Sequence, residues 1–488
     1  MLFNSYMFVF VFLPIALLGY YLTVRKSDGF YAKLWLIAMS FWFYAGFHAA
    51  YLLILLLSLL VNYGAICLME KGWRRKGVLI AGIAVNVGLL VYFKYMNFFL
   101  QNINSLFQTD FKLLHILIPL GISFFTFQQI SFLVDNYRRE IREYSFTDYV
   151  LYITYFPKLV EGPIVLHSEL FPQFRELGRK RLDAEHFMRA VCLFVFGMGK
   201  KVILADTFGK AVDYGYSNLN LLHASDVLLL ILFYSFQLYF DFSGYCDMAR
   251  GVSRMFGIEL PVNFNSPYKA RNIIDFWKRW HITLNRFFTK YLYIPLGGNR
   301  KGKTRMYANL LLIFLISGLW HGAGWNYVIW GMLHGVLYVL TRMWQQRSTK
   351  KTVKLKGNFL FAVLTFLYVS AAWVYFRADT TAQANTLFGI LGNHEFVRVN
   401  HTLAGFFNLD EFWYILKVFH LDAWEYGHYI LMAVMTVFSL LLVFFGRNAA
   451  QLAEHIKPKV WTAVAVAGLF LWCVLAFSNV STFIYFNF

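Results

Sequence analysis

Two histidines stand in surroundings where an imidazole is costly to keep unless the protein uses it. His321 lies within the glycine-rich stretch 317–325, near the middle of residues 306–341, which contain no charged side chain. His281 ends a basic and aromatic stretch that begins at Phe276. Because an imidazole titrates near neutrality, either ring could take a proton from a hydroxyl group. The alternative for each is a structural histidine that is hydrogen-bonded within the fold.

The charge-free interval around His321 has to turn. As one α-helix it would be more than about 50 Å long at 1.5 Å per residue, whereas the hydrocarbon core of a bilayer is about 30 Å thick. We therefore expect a break at Gly318, Gly322 and Gly324. Both flanks of the interval are basic and so predicted to be cytoplasmic. His321 should then lie deep in the membrane or toward its outer side, where a donor from the cytosol could meet an acceptor outside.

A carboxylate interrupts the long apolar run that precedes the histidines. Asp241 and Gln237 are four residues apart, which places them on one face of a helix, with Ser243 close by. An acid in a membrane span normally faces the bundle interior and has a partner there. Asp241 could therefore support the site or pin helices together, and the sequence leaves both roles open.

Residues 272–291 have the pattern of one amphipathic helix. The apolar positions recur every three to four residues, as on a single helix face: Ile273, Trp277, Trp280, Leu284, Phe287 and Tyr291. The cations lie off this stripe: Lys278, Arg279, Arg286 and Lys290. Such a helix can rest in the membrane interface. It can also present cations to a phosphate-bearing substrate, since arginine forms bidentate contacts with phosphate.

Composition predicts a polytopic membrane protein. Of 488 residues, 59% are hydrophobic and only 15% are charged, against about 25% charged in soluble domains. The net charge of +19 comes from short basic patches between apolar stretches, a pattern that orients membrane proteins and argues against nucleic-acid binding. The four cysteines are far apart and lack the spacing of zinc or redox sites, so we predict no metal site.

The order of apolar stretches predicts an all-α fold. Basic patches mark the cytoplasmic loops: 25–26, 71–76, 138–142, 175–181, 299–305 and 342–356. Between them we predict about eleven transmembrane helices, including a crossing at 113–134, and a re-entrant segment at 149–167, where two prolines disfavour a straight helix. The fold class is an all-α polytopic membrane protein. Residues 1–488 form one integral-membrane domain with core motifs at 237–335 and an interfacial insert at 377–427.

Several motifs together resemble a known family. They are Gln237 to Gly251, Asn263-Phe264-Asn265-Ser266-Pro267-Tyr268, Phe276 to Leu284, Tyr293 to Arg300 and Gly318-Leu319-Trp320-His321-Gly322-Ala323. In this order they resemble the membrane-bound O-acyltransferases, in the branch of the bacterial alginate O-acetylation protein. The resemblance implies re-entrant and interfacial helices around a central acyl-transfer tunnel, in the inner membrane of a bacterium.

The resemblance assigns the two histidines, and the residues around them complete the expected site. His321 and His281 would be catalytic. The residues expected to bind the substrate or donor are Lys278, Arg279, Arg286, Asn285, Trp277 and Trp280. The residues expected to support the site are Asp241, Gln237, Ser243, Trp320 and Asn326.

The function implied is transfer of an acetyl group from cytosolic acetyl-CoA, a donor substrate rather than a bound cofactor, toward an extracytoplasmic polysaccharide. A separate extracytoplasmic SGNH-type acetyltransferase is an implied partner. Alternative reactions are O-acetylation of peptidoglycan and transfer of D-alanine from a carrier protein to teichoic acid. A further alternative is a transporter or flippase. The acyl group could also be carried covalently on His321, Ser243, Ser317 or Cys246, although nothing in the sequence places a base beside the last three.

Overall fold

The structure, a computed structural model, describes residues 1–179, 183–347, 359–418, 426–479 and 483–484. The regular elements of these residues are all helices, and the described ranges include no β-strand. Three predicted features lie partly outside them: residues 180–181 of the patch 175–181, residues 348–356 of the patch 342–356, and residues 419–425 of the insert 377–427.

The helices of the first half of the chain are α1 Leu13–Thr23, α2 Phe30–Ala45, α3 Ala49–Glu70, α4 Arg75–Leu90, α5 Met96–Phe107, α6 Ile122–Tyr137, α7 Phe146–Thr154, α8 Phe156–Leu159, α9 His167–Arg175, α10 Ala184–Met198 and α11 Asp206–Ser217. Those of the second half are α12 Ala224–Met255, α13 Ile273–Arg279, α14 Ile282–Phe288, α15 Lys303–His321, α16 Trp325–Arg347, α17 Phe359–Arg377, α18 Thr381–Gly392, α19 His401–Gly405, α20 Trp413–Val418, α21 Gly427–Phe444, α22 Ala449–His455 and α23 Val460–Leu475.

The chain divides into two compact units, and the single integral-membrane domain over residues 1–488 stays a prediction. The first unit contains residues Met1–Phe194, Met248–Val262 and Arg286–Tyr291. The second contains Val195–Asp247, Asn263–Asn285 and Leu292–Phe488, and both candidate catalytic histidines belong to it.

Six helices of the described residues are long and apolar enough to cross a membrane: Ala49–Glu70, Arg75–Phe107, Ala224–Met255, Phe359–Arg377, Gly427–Phe444 and Val460–Ser478. They support a membrane protein, and the figure of about eleven crossings stays a prediction. The predicted crossing at 113–134 differs from the structure, because residues 108–119 form no helix. Pro119 lacks an amide hydrogen, and Gly121 adopts a left-handed φ of 72° just before α6.

The segment 149–167 is broken and buried, as its prolines and glycine predict. Helix α7 ends at Thr154, α8 is a single turn that begins before Pro157, and residues 160–166 are not helical. A Cβ on Gly162 would lie 2.3 Å from the Cα of Lys158, so only glycine permits this close approach. Non-helical backbone inside a membrane protein is tolerated where protein surrounds it, and residues 149–165 are all buried.

The predicted turn beside His321 is confirmed at Gly322 and Gly324, whereas Gly318, where a break was also expected, lies inside helix α15 and serves close packing instead. Helix α15 ends at His321, Gly322 is extended with φ −160° and ψ 151°, and α16 begins at Trp325. The two helices pack backbone to backbone: a Cβ on Gly318 would lie 2.4 Å from the carbonyl oxygen of Tyr327, and one on Gly331 would lie 2.5 Å from that of Phe314. Small residues allow such close approach between membrane helices. Here they bring the end of α15 against α16.

Candidate active site

His281 lies at a break that the sequence pattern does not show. The predicted helix 272–291 is divided into α13 and α14, followed by a π-helical turn Thr289–Tyr293. Trp280 is extended, and His281 has a φ of 46°. A left-handed conformation is unfavourable for a residue with a Cβ, so the surrounding structure has to enforce it. Strained backbone of this kind is frequent at functional sites.

A second segment of the chain, residues 263–265, holds the break in place. The amide of Ile282 donates to the carbonyl of Asn263 at 3.0 Å, and the amide of Asn265 donates to the carbonyl of Arg279 at 2.9 Å. Asn285 closes the end of α13, because its Nδ2 donates to the carbonyl of Trp277 at 2.6 Å and to that of Trp280 at 2.8 Å. Asn285 thus satisfies carbonyls that a helix end otherwise leaves open.

The side chain of Asn263 fixes the tautomer of His281. Its Oδ1 accepts hydrogen bonds from the amide of Thr283 at 3.2 Å and from the Thr283 hydroxyl at 2.9 Å. An atom that accepts from an amide is the oxygen, so His281 Nδ1, at 3.3 Å from it, must carry the proton and donate. The lone pair of the neutral ring is then on Nε2, for which no other described residue provides a hydrogen-bond partner.

Burial keeps His281 neutral. The residue has no exposed surface, and it lies outside the six long apolar helices. Loss of hydration lowers the pKa of its imidazole to about 3. His281 therefore offers an uncharged hydrogen-bond acceptor at neutral pH rather than a cation.

His321 lies near His281 within a cluster of closely packed aromatic side chains, which we call the aromatic chamber. The centroids of the two imidazole rings are 6.4 Å apart. Around His321 the ring centroids of Trp320, Trp330 and Phe376 lie at 4.8, 5.1 and 5.1 Å. His321 exposes 2% of its surface. The expected access from both aqueous sides, through a central tunnel, stays a prediction.

His334 is a third buried histidine beside this chamber, and the sequence reasoning missed it. Its ring centroid is 5.0 Å from that of Trp330 and 5.3 Å from that of Trp277. Neither of its nitrogens has a hydrogen-bond partner among the described residues, although the side chain is fully buried. The signal was available, because His334 follows Trp330 by four residues within the same charge-free interval. Asn263 was missed as well, although its motif was recognised.

Asp241 has the partner that its burial requires. Its Oδ1 lies 2.6 Å from Nζ of Lys201, which also pairs with Asp206 at 2.8 Å. All three side chains are almost fully buried. A buried cation between two carboxylates holds the helix α12 in place, since loss of either sign of charge would leave the other uncompensated.

The other two polar residues predicted on α12 are buried, and only Ser243 has a hydrogen-bond partner among the described residues. Gln237 is 8% exposed. Its side-chain amide packs closely against Gly209, since a Cβ added to that glycine would lie 2.8 Å from Nε2 of Gln237. The hydroxyl of Ser243 donates to the carbonyl of Tyr239, four residues earlier in the helix. This is the usual intrahelical bond of a buried serine, and it gives no sign of an activated nucleophile.

Three predicted donor-binding cations differ in how they are engaged. Arg286 forms two contacts with the carboxylate of Glu169, at 2.6 and 2.7 Å. Arg279 pairs with Asp275, one turn earlier, at 2.9 Å. Lys278 is exposed and has no ion-pair partner among the described residues. Arg286 and Arg279 would each have to break an ion pair before binding a phosphate, whereas Lys278 would not. Donor binding by all three residues stays a prediction.

The remaining predicted residues are buried. Trp277 and Trp280 are 5% and 1% exposed and belong to the aromatic core around Trp330. Trp320 packs against both imidazoles, with its ring centroid 6.1 Å from that of His281 and 4.8 Å from that of His321. Asn326 donates to the carbonyls of Tyr375 and Ala378, at 3.2 and 2.6 Å, and so joins the start of α16 to the end of α17. Within the described ranges, no three His, Cys, Asp or Glu side chains are grouped so as to hold a metal ion.

Known proteins share this chain's sequence over most of its length. A peptidoglycan O-acetyltransferase of Helicobacter pylori is 42% identical over 422 residues, which cover 80% of each chain. A probable alginate O-acetylase of Pseudomonas aeruginosa is 37% identical over 390 residues, 78% of this chain and 72% of that protein. A teichoic acid D-alanyltransferase of Bacillus subtilis is 30% identical over 273 residues, 53% of this chain and 68% of that protein.

The family match extends beyond the two histidines on both sides. Residues 36–378 match the membrane-bound O-acyltransferase family. The resemblance inferred from the motifs is therefore confirmed, and so is the inference that the protein is an enzyme. The chain belongs to the membrane-bound O-acyltransferase family and is an O-acyltransferase.

Proposed function

We propose that this enzyme transfers an acetyl group from cytosolic acetyl-CoA to a hydroxyl group of a cell-envelope glycan outside the cytoplasmic membrane of a bacterium. The observation that carries the proposal is the pair of buried imidazoles, His321 and His281, whose ring centroids lie 6.4 Å apart in one aromatic chamber. Burying a polar group costs free energy, and ionisable residues inside a membrane protein commonly mark a functional site.

The two histidines suit different tasks. His321 takes the proton of the acceptor hydroxyl while the hydroxyl oxygen attacks the carbonyl carbon of the thioester. The C–S bond then breaks, the thiolate leaves and takes a proton, and the acetyl group remains on the acceptor as an ester. His281, whose imidazole has a pKa of about 3, is a weak base at neutral pH. Its Nε2 accepts a hydrogen bond from a neighbouring hydroxyl of the sugar and so orients the acceptor.

Lys278, close to His281 in the chain, is the residue that we assign to donor binding. Lys278 is exposed three residues before His281 and carries a charge that no described carboxylate neutralises. Such a cation can bind the phosphates of coenzyme A. The basic patches predict that this side of the membrane is cytoplasmic, which agrees with a cytosolic donor.

The direct test is thioester turnover by the purified protein in detergent. Wild-type protein is incubated with acetyl-CoA, and free thiol is measured together with acetyl transfer to soluble glycan fragments. We expect His321→Ala to lower the rate by at least about 10²-fold, the usual contribution of a general base. His401→Ala, at an exposed histidine of the insert, is the matched control. A transporter or flippase would show no thiol release in either protein.

Two acceptors have specific support. The similarity to the Helicobacter pylori peptidoglycan O-acetyltransferase favours peptidoglycan. The similarity to the Pseudomonas aeruginosa alginate O-acetylase favours an alginate-like exopolysaccharide. Acetyl transfer to muropeptide fragments, compared with transfer to uronic-acid oligosaccharides, separates them. If either transfer depends on an added SGNH-type acetyltransferase, this enzyme delivers the acetyl group to that partner.

A further inference from the structure

A long groove runs beside α21, and its lining includes neither catalytic histidine. Its volume is about 540 Å³. One wall is formed by residues of α21 at three- to four-residue spacing: Leu431, Val434, Phe438 and Leu442. The facing walls come from the π-helical turn Gly199–Ala205 and from Leu469 and Trp472 of α23. The groove lies entirely within the second unit.

The apolar part of the groove has the length of one bilayer leaflet. Leu431 and Leu442 are eleven residues apart in one helix, which corresponds to about 16 Å. Half of a hydrocarbon core is about 15 Å. Val434 and Phe438 are 57% and 50% exposed, so the groove opens sideways from a helix that is apolar enough to span a membrane. These features suit an acyl chain entering from the surrounding lipid.

One end of the groove carries a positive charge. Arg447, directly after α21, lines this end and is exposed. Among the described residues, no carboxylate forms an ion pair with it. Lys269 is nearby, since its Nζ donates to the carbonyl of Gly446 at 2.6 Å. Lys457 and Lys459 precede α23, so this end is predicted to face the cytoplasm. Glu411 also lines the groove and adds a negative charge to it, opposite in sign to that of Arg447.

We propose that this groove binds one anionic phospholipid of the cytoplasmic leaflet. The phosphate is bound by the guanidinium of Arg447, which can make two parallel hydrogen bonds to it. One acyl chain lies along Leu442, Phe438, Val434 and Leu431. The inference is independent of the acyl-transfer proposal, because it rests on the charge and length of a site that contains no catalytic residue.

The headgroup half of the proposal is tested with the full-length protein in detergent. Bound lipid is counted by native mass spectrometry during titration with phosphatidylglycerol or phosphatidylcholine. Wild type should retain phosphatidylglycerol in preference. Arg447→Gln should weaken phosphatidylglycerol binding about fivefold, because one cation near an anionic lipid contributes about 1 kcal/mol. Arg347→Gln, at another exposed arginine that ends an apolar helix, should leave binding unchanged.

The acyl-chain half is tested by filling the groove. Val434→Trp places a large ring in it, whereas Val437→Trp changes a residue of the same helix that is 54% exposed and outside the groove. Only Val434→Trp should abolish phosphatidylglycerol retention. The proposal is overturned if both lipids bind wild type equally, or if Arg447→Gln behaves as Arg347→Gln does. It is also overturned if Val434→Trp stops thioester turnover while lipid binding persists, since the groove would then be a donor passage.

Discussion

Replacing Asn263 tests how much the hydrogen bond that fixes the tautomer of His281 contributes to stability and to turnover. Its Oδ1 is the acceptor for Nδ1 of His281 at 3.3 Å and for the amide of Thr283 at 3.2 Å. Asn263→Ala leaves both buried N–H groups without an acceptor, at about 1–3 kcal/mol each, so we expect the free energy of unfolding to fall by roughly 2–6 kcal/mol. The proton can then move between the two ring nitrogens, and turnover should fall by about 10²-fold.

Asn263→Asp keeps the acceptor and adds a negative charge at the same position. An opposite charge within 4–6 Å raises the pKa of a histidine by about 1–3 units. The pKa of His281 is about 3 in the wild type, so in the variant it should lie between roughly 4 and 6. As the pH falls through this range, Nε2 takes up a proton and can no longer accept a hydrogen bond. The variant should therefore lose activity on the acid side at a higher pH than wild type.

The assay is the initial rate of thiol release from acetyl-CoA between about pH 4 and 9, with thermal unfolding followed in the same buffers. Asn265→Asp, at an exposed residue two positions away, is the control for the added charge. A wild-type rate in Asn263→Ala together with a wild-type pH profile in Asn263→Asp would refute the assigned tautomer.

Other changes test the surroundings of the site. Gly331→Ala should lower the thermal unfolding temperature, because the added Cβ would lie 2.5 Å from a carbonyl oxygen of α15. Gly389→Ala, where nothing lies within 4 Å of the added Cβ, should leave it unchanged. Equal unfolding temperatures for the two variants would contradict the close packing of α15 and α16. Ser243→Ala should retain turnover within about twofold, because the hydroxyl is bound to its own helix, and complete loss would instead indicate a covalent carrier. Lys278→Gln should raise KM for acetyl-CoA by up to about fivefold without changing kcat, an effect that salt should reduce, and an unchanged KM would remove this lysine from the donor site.

Local sequence signals predicted the parts of the fold that local chemistry determines. The turn between α15 and α16 follows from Gly322 and Gly324 in an interval too long for one crossing, although the break also expected at Gly318 is absent because that residue lies inside α15. The broken segment at 149–167 follows from its prolines and glycine. The two catalytic candidates were visible because a charge-free or aromatic setting makes an isolated imidazole conspicuous. These features need no knowledge of distant contacts.

The break at His281 could not be read from the pattern. The apolar stripe continues unchanged across it, from Trp277 through Trp280 to Leu284, and all three side chains are buried. The left-handed backbone is imposed by Asn263, which is remote in sequence. Lys201 as the partner of Asp241 and His334 as a neighbour of the chamber depend on tertiary packing in the same way.

The most direct test of the account is a double-mutant cycle on thioester turnover with His281→Ala, His321→Ala and the combination. Residues that act as one unit lose activity non-additively. We predict that each single variant turns over the thioester much more slowly than wild type and that the double variant is no slower than His321→Ala. His321→Ala should insert into the membrane and unfold at the same temperature as wild type. Normal thiol release by a well-folded His321→Ala protein would contradict the claim that these two neighbouring imidazoles perform the transfer.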